Sequence, residues 1–183
     1  MVATDFERGR VIESLNGDQR AFADLIREHQ RMIYSLCYRM TGSAADAEDL
    51  AQETFIHAYQ NLSGFRSESR FSSWLYRIAV NQCLNWQKSQ ARRLRLHQDL
   101  RAQDQTPVAS NRGMSQQVQQ ALLRLHPKQR AAVVLTTCDG LSHAEAAAVL
   151  HCSETTISWR LFAARRKLRC LLKAAQLKED KSP

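Results

Sequence analysis

The stretch FRSESRFSSWLYRIAVNQCLNW, residues 65–86, mixes rings with cations and amides in an unusual way. It holds five of the chain's thirteen Phe, Trp and Tyr residues, with Arg and Asn between them. With a helical advance of about 100° per residue, Trp74, Arg77, Asn81, Asn85 and Lys88 fall within a sector of roughly 80°. Leu75, Ala79, Cys83 and Trp86 fall on another side, where they can face a core. A ring, two amides and two cations on one face suit unpaired bases. The ring stacks, the amides reach base edges and the cations neutralise phosphates. Ahead of them, Phe65, Arg66, Ser67, Ser69 and Arg70 supply groups for a pocket that could receive an extruded base. The competing reading makes Trp74 a core residue and leaves the polar side to solvent.

A second signal lies in GLSHAEAAAVLHCSETTISWRLFAARRKLRCLL, residues 140–172. Ser142 and Glu145 form an S-x-x-E capping box, so a helix is predicted from about His143. His151-Cys152-Ser153 reads as a tight turn, with His151 at a position where positive φ is needed. Ser153 caps the next helix and Glu154 complements its positive end. From Thr155 to Lys178 there are seven Lys or Arg and no acid. Helix, tight turn and longer basic helix are the parts of a helix-turn-helix, whose second helix enters a major groove.

These stretches need helices to hold them. Three prolines and six glycines in 183 residues leave the chain reading as nearly all helix. Helices are predicted over about 19–39, 44–61 and 72–93. Residues 96–113, LHQDLRAQDQTPVASNRG, read as a flexible linker. A second set of helices starts near Ser115, with Pro127 in the first turn of one that Asp139-Gly140 ends. The expected fold is all-α, with two small helical domains at 1–95 and 115–178 joined by a linker at 96–114.

Charge divides along the same lines. Residues 1–60 carry 6 basic and 10 acidic side chains, a net of −4; residues 61–100 carry +5 and residues 101–183 carry +7. An acidic front and a basic remainder point to two partners, one basic surface and one polyanion. No run is long and apolar enough to span a bilayer, and the N-terminus lacks a signal-type apolar core, so a cytoplasmic protein is expected. The five cysteines are widely spaced and suggest reduced thiols. His151-Cys152 has no second ligand pair nearby, so neither a metal nor another cofactor is expected. The chain has no phosphate-cradling glycine loop, H-x-x-x-H pair or nucleophile elbow, so an enzyme is not expected.

Taken together, DAEDLAQETFIHAYQNLSGFRSESRFSSWLYRIAVNQCLNW resembles region 2 of the extracytoplasmic-function sigma factors. ALLRLHPKQRAAVVLTTCDGLSHAEAAAVLHCSETTISWRLFAARRKL resembles their region 4. The resemblance implies a subunit that binds core RNA polymerase and promoter DNA and is controlled by an anti-sigma factor. It implies polymerase contacts at Asp46, Glu48, Asp49, Gln52 and Glu53. It implies −10 recognition and melting by Phe65, Arg66, Ser69, Arg70, Phe71, Trp74, Arg77, Asn81, Asn85 and Lys88. It implies −35 reading by Ser153, Glu154, Thr155, Thr156, Ser158, Trp159, Arg160, Phe162, Arg165 and Arg166. This chain departs from the family's pattern at Ser158 and Ala163, often basic in the family, and at Trp159, where a small polar residue is common. Two placements stay open for Trp159, against its own domain or on a thymine methyl. The alternative reading is a stand-alone helix-turn-helix regulator, which leaves the 65–88 face and the acidic helix without a use.

Overall fold

The computed structural model describes residues 5–65, 69–97 and 116–179. Four helices form the first half: α1 (Asp5–Leu15), α2 (Gln19–Thr41), α3 (Ala44–Gln60) and α4 (Phe71–His97), with a 3₁₀ turn at Leu62–Gly64. The second half holds α5 (Gln116–Leu123), α6 (Pro127–Val133), α7 (His143–Val149) and α8 (Glu154–Glu179). A wide π turn, Val134–Cys138, continues α6. Among the described residues there is no strand. Arg66 and Ser67, and all of the linker beyond residue 97, lie outside the described residues.

Local chemistry sets the helix ends. Asp18 accepts from the Arg20 amide at the start of α2, and Ser43 accepts from Asp46 at the start of α3. Gly42 ends α2 at φ 79°, a left-handed conformation that costs glycine little. A Cβ at Gly42 would also meet the Leu123 side chain, which would have to shift to make room. Helix α1, which the sequence pattern did not suggest, packs through Glu7, Val11 and Ser14. Arg10 ties it to Asp24 of α2 at 3.3 Å.

The halves are not separate cores. Leu25, Ile33, Leu36, Phe71 and Leu75 of the first half belong to one continuous buried cluster with Leu122, Leu135, Ile157 and Leu161 of the second. Between them lies a polar seam. The Arg130 guanidinium is buried and donates to the carbonyls of Leu122, Leu123 and Leu125 and to that of Met40 in α2. Burial lowers the Arg130 pKa to about 10, so it stays a cation at neutral pH. Gln119 donates to the Tyr38 carbonyl at 3.0 Å, and Gln87 donates to Met40 at 2.7 Å. Arg39 pairs with Asp139 at 2.8 Å across the same seam.

Asp139 is the seam's titratable member. Burial raises its pKa from 3.8 to about 6, an effect that Arg39 and the Tyr76 hydroxyl offset but do not cancel. The folded chain therefore holds this proton more tightly than an unfolded chain, so stability is lost as pH rises from about 4 through about 6. Above that window the loss is constant. The expected outcome is a fall in thermal midpoint across pH 4 to 6 that Asp139→Asn flattens. Parallel curves for the two proteins would rule Asp139 out as its source.

Candidate nucleic-acid interface

Helix α3 carries the acidic residues, and its geometry divides them. Asp46, Asp49 and Glu53 line an open groove towards α4 with His57, Gln82 and Asn85. Glu48 and Gln52 line another towards α2, with Ile26, Arg31, Tyr34 and Phe55. In between, Ala47, Leu50, Ala51 and Thr54 are buried. Thr54 donates to Gln82 of α4 at 2.9 Å, which helps fix the angle between the two helices. The five side chains that the resemblance assigns to polymerase contact thus occupy two flanks of one helix. Glu48, Asp49, Gln52 and Glu53 are exposed and Asp46 is half-buried.

The start of α4 is an aromatic cluster. Phe65 meets Phe71 edge-on at 5.3 Å, and Trp74 lies 5.4 Å from Phe65 and 5.5 Å from Phe71. Buried His29 of α2 meets Phe71 with tilted rings at 5.6 Å, and burial lowers its pKa. The rings of Phe65 and Phe71 are buried, so in this structure they support Trp74 and do not themselves face solvent. The cause is the short 3₁₀ turn, which folds Phe65 back over the helix start. Trp74 is half-buried and stands between its two expected roles. Ser69 and Arg77 are half-buried, and Arg70, Asn81, Asn85 and Lys88 are exposed. Trp74 and Asn85 are roughly 16 Å apart along the helix. Asn85 opens onto the α3 groove, so the structure does not gather it into the Trp74 cluster.

In the second half, the capping box is formed: the Ser142 hydroxyl accepts from the Glu145 amide, and the Glu145 carboxylate accepts from the Ser142 amide. Those bonds, before any charge effect, hold the Glu145 carboxyl below its ordinary range. His151 turns the chain at φ 46°, and Ser153 accepts from the Thr156 amide at the start of α8. Ile157, Leu161 and Ala164 are buried against the other helices. Glu154, Thr155, Ser158, Trp159, Phe162, Arg165 and Arg166 are exposed. Arg160 is half-buried and donates to Cys152 Sγ in the turn at 3.4 Å. Trp159 is 68% exposed, so most of its surface is left uncovered by its own domain. Among the described residues no group of three or more His, Cys, Asp or Glu is arranged to hold a metal ion.

Comparison with known proteins decides the family. Residues 25–93 match the sigma-70 region 2 model, and residues 115–168 match the sigma-70 region 4 model. The chain is 34% identical to the ECF RNA polymerase sigma factor SigW of Bacillus subtilis over 174 residues, covering 87% of this chain and 93% of that protein. It is 36% identical to SigM of Mycobacterium tuberculosis over 159 residues, covering 85% and 79%. The chain belongs to the extracytoplasmic-function sigma factors. Two solved structures share the fold. The sigma factor RpoE of Bartonella quintana, in complex with the anti-sigma factor NepR, matches with a TM-score of 0.71 at 25% identity over 83% of this chain and 96% of that one. CnrH, in complex with the cytosolic domain of CnrY, matches at 0.70 with 30% identity over 93% and 99%.

Region 2 of this sigma factor takes in most of α2, all of α3 and most of α4, and region 4 takes in α5 to the middle of α8. Sequence reasoning missed Gln119 and Arg130, whose partners are backbone carbonyls distant in the chain and carry no pattern. His29 had a faint signal: a polar residue on the apolar side of a strongly amphipathic helix. The turn offers a direct check. Because His151 holds a left-handed conformation, His151→Gly is expected to raise stability by about 0.5–1 kcal/mol in denaturant unfolding, net of glycine's extra unfolded-state entropy. A loss of stability would show that the His151 side chain contributes more than its backbone strain costs.

Proposed function

We propose that this sigma factor docks on core RNA polymerase through α3, reads the −35 element with α8, and holds the opened −10 strand on the outer face of α4. It does so as a non-enzymatic subunit in the cytoplasm, under the control of an anti-sigma factor. The single observation that carries this reading is the separation of charge by element. An exposed acidic helix stands on region 2, and an exposed cationic helix opposite a buried stripe stands on region 4. No described helix is long and apolar enough to cross a membrane. RpoE, solved with the anti-sigma factor NepR, and CnrH, solved with the cytosolic domain of CnrY, support the regulatory part.

The division of labour follows from physical chemistry. Acidic side chains at Asp49 and Glu53 complement a basic docking partner and speed its encounter. Cations at Arg165 and Arg166 are drawn to duplex phosphate. Trapping bases on a ring and amides, at about 1–3 kcal/mol per stacked base, offsets part of the stacking lost when the duplex opens without ATP. Asn81 and Trp74 are the residues best placed for that step. The domains proposed to act separately are residues 1–95 and 115–178.

Asp49 and Glu53 are exposed, so replacing both by Lys leaves the core intact. The double variant is expected to keep its helical circular dichroism and to lose co-purification with core polymerase. Undiminished co-purification would remove α3 from the docking surface. Asn81→Ala is the cleaner probe of strand capture, because Trp74→Ala would also loosen the aromatic cluster. It is expected to reduce permanganate reactivity of −10 thymines while sparing upstream protection. Normal reactivity would take the base-capture role away from this face.

A further inference from the structure

Helix α8 presents an apolar feature where a DNA-reading helix would be expected to present hydrogen-bonding groups. With Trp159 as angular zero, Thr155, Phe162 and Arg166 lie within about 60° of it, while Ile157, Leu161 and Ala164 lie on the far side at about 140–200°. Trp159 and Phe162 are 68% and 61% exposed. Their rings meet edge-on, with centroids 6.1 Å apart and planes at 84°. This contact holds two large side chains in place before anything binds, which reduces the entropy lost on binding. With Thr155 and Ser158 they line a shallow apolar concavity.

Four of the polar side chains in the same turns already have protein partners. Ser153 and Thr156 share a hydrogen bond at 2.9 Å, Ser158 bonds His143 of α7 at 3.2 Å, and Arg160 donates to Cys152. The exposed cations at Arg165, Arg166 and Arg169 are drawn to phosphates, which carry no sequence information. In the major groove, the one apolar mark a base pair displays is the C5-methyl group of thymine. Charge around the ring pair favours duplex DNA, since Thr155–Lys178 holds no acid.

We propose that Trp159 and Phe162 select thymine in the upstream promoter element by closing around its C5-methyl group. The selectivity of this sigma factor would then rest on a methyl contact and less on hydrogen bonds to base edges. The proposal rests on the reading that α8 enters the major groove.

The test uses the full chain reconstituted with core polymerase and a duplex pool whose upstream window is randomised. Wild type is expected to enrich thymine at one or more positions of that window. Replacing those thymines by deoxyuridine removes the methyl alone and is expected to weaken binding about three- to fivefold per methyl. Trp159→Ala is expected to bind more weakly and to be indifferent to the replacement, and Phe162→Ala to lose part of the preference. Wild-type binding unaffected by deoxyuridine would overturn the proposal. So would a Trp159→Ala protein that keeps the full penalty, or one that loses only an anti-sigma partner and still selects thymine. Arg166→Ala separates the underlying reading. If upstream protection ignores both Arg166 and Trp159, α8 is not in the groove at all. If it needs Arg166 but not the methyl, only the thymine contact fails.

Discussion

The end of α2 is the constraint on which the rest of the molecule depends. A helix C-terminus leaves its last carbonyls without intrahelical donors, and burying them unpaired is costly. Here the Tyr38 carbonyl accepts from the Gly42 amide and from Gln119 of the other half, and the Met40 carbonyl accepts from Gln87 of α4 and from Arg130 of the other half. Gly42 lets the chain leave α2 at once and leaves room for Leu123. One guanidinium therefore closes the α5–α6 turn and ties that turn to region 2. Arg39 and Asp139 add an ion pair beside it.

This seam is polar at its centre, and that bears on the proposed function. Under the proposed function the two halves read separate DNA elements, and the seam is what holds them together in this structure. Opening the contact would rehydrate the carbonyls, amides and ions of the seam, and would also expose the apolar cluster that the two halves share. The surfaces assigned to partners lie apart from it: acidic flanks on α3, the Asn81 side of α4 and the outer face of α8. In this arrangement the chain keeps its working groups outside while its core is continuous across both regions.

How much was legible in the sequence depended on whether the signal was local. The capping box, the His151 turn and the Ser153 cap were all readable, because each rests on residues within three positions of one another. The all-α character and the two helical halves followed from sparse glycine and proline and from periodicity. Helix α1 was not legible, since it buries Glu7 and Ser14 beside Val11 and leaves Phe6, Ile12 and Leu15 exposed, the reverse of an apolar stripe. Angular arithmetic gave the correct outer face of α4 near Asn81. It could not show that Phe65 folds back into the core or that Asn85 drifts over α3, because both depend on neighbours. Likewise, the acidic residues of α3 share a stretch of sequence without sharing a flank.

The central claim is that this chain directs RNA polymerase to promoters by means of three distinct surfaces. The most direct measurement is run-off transcription on genomic fragments with core polymerase, with and without the purified chain. The account predicts discrete, chain-dependent transcripts that disappear when core polymerase is omitted. Absence of any such transcript, alongside tight salt-dependent binding of the chain alone to duplex DNA, would contradict it and favour a stand-alone DNA-binding regulator.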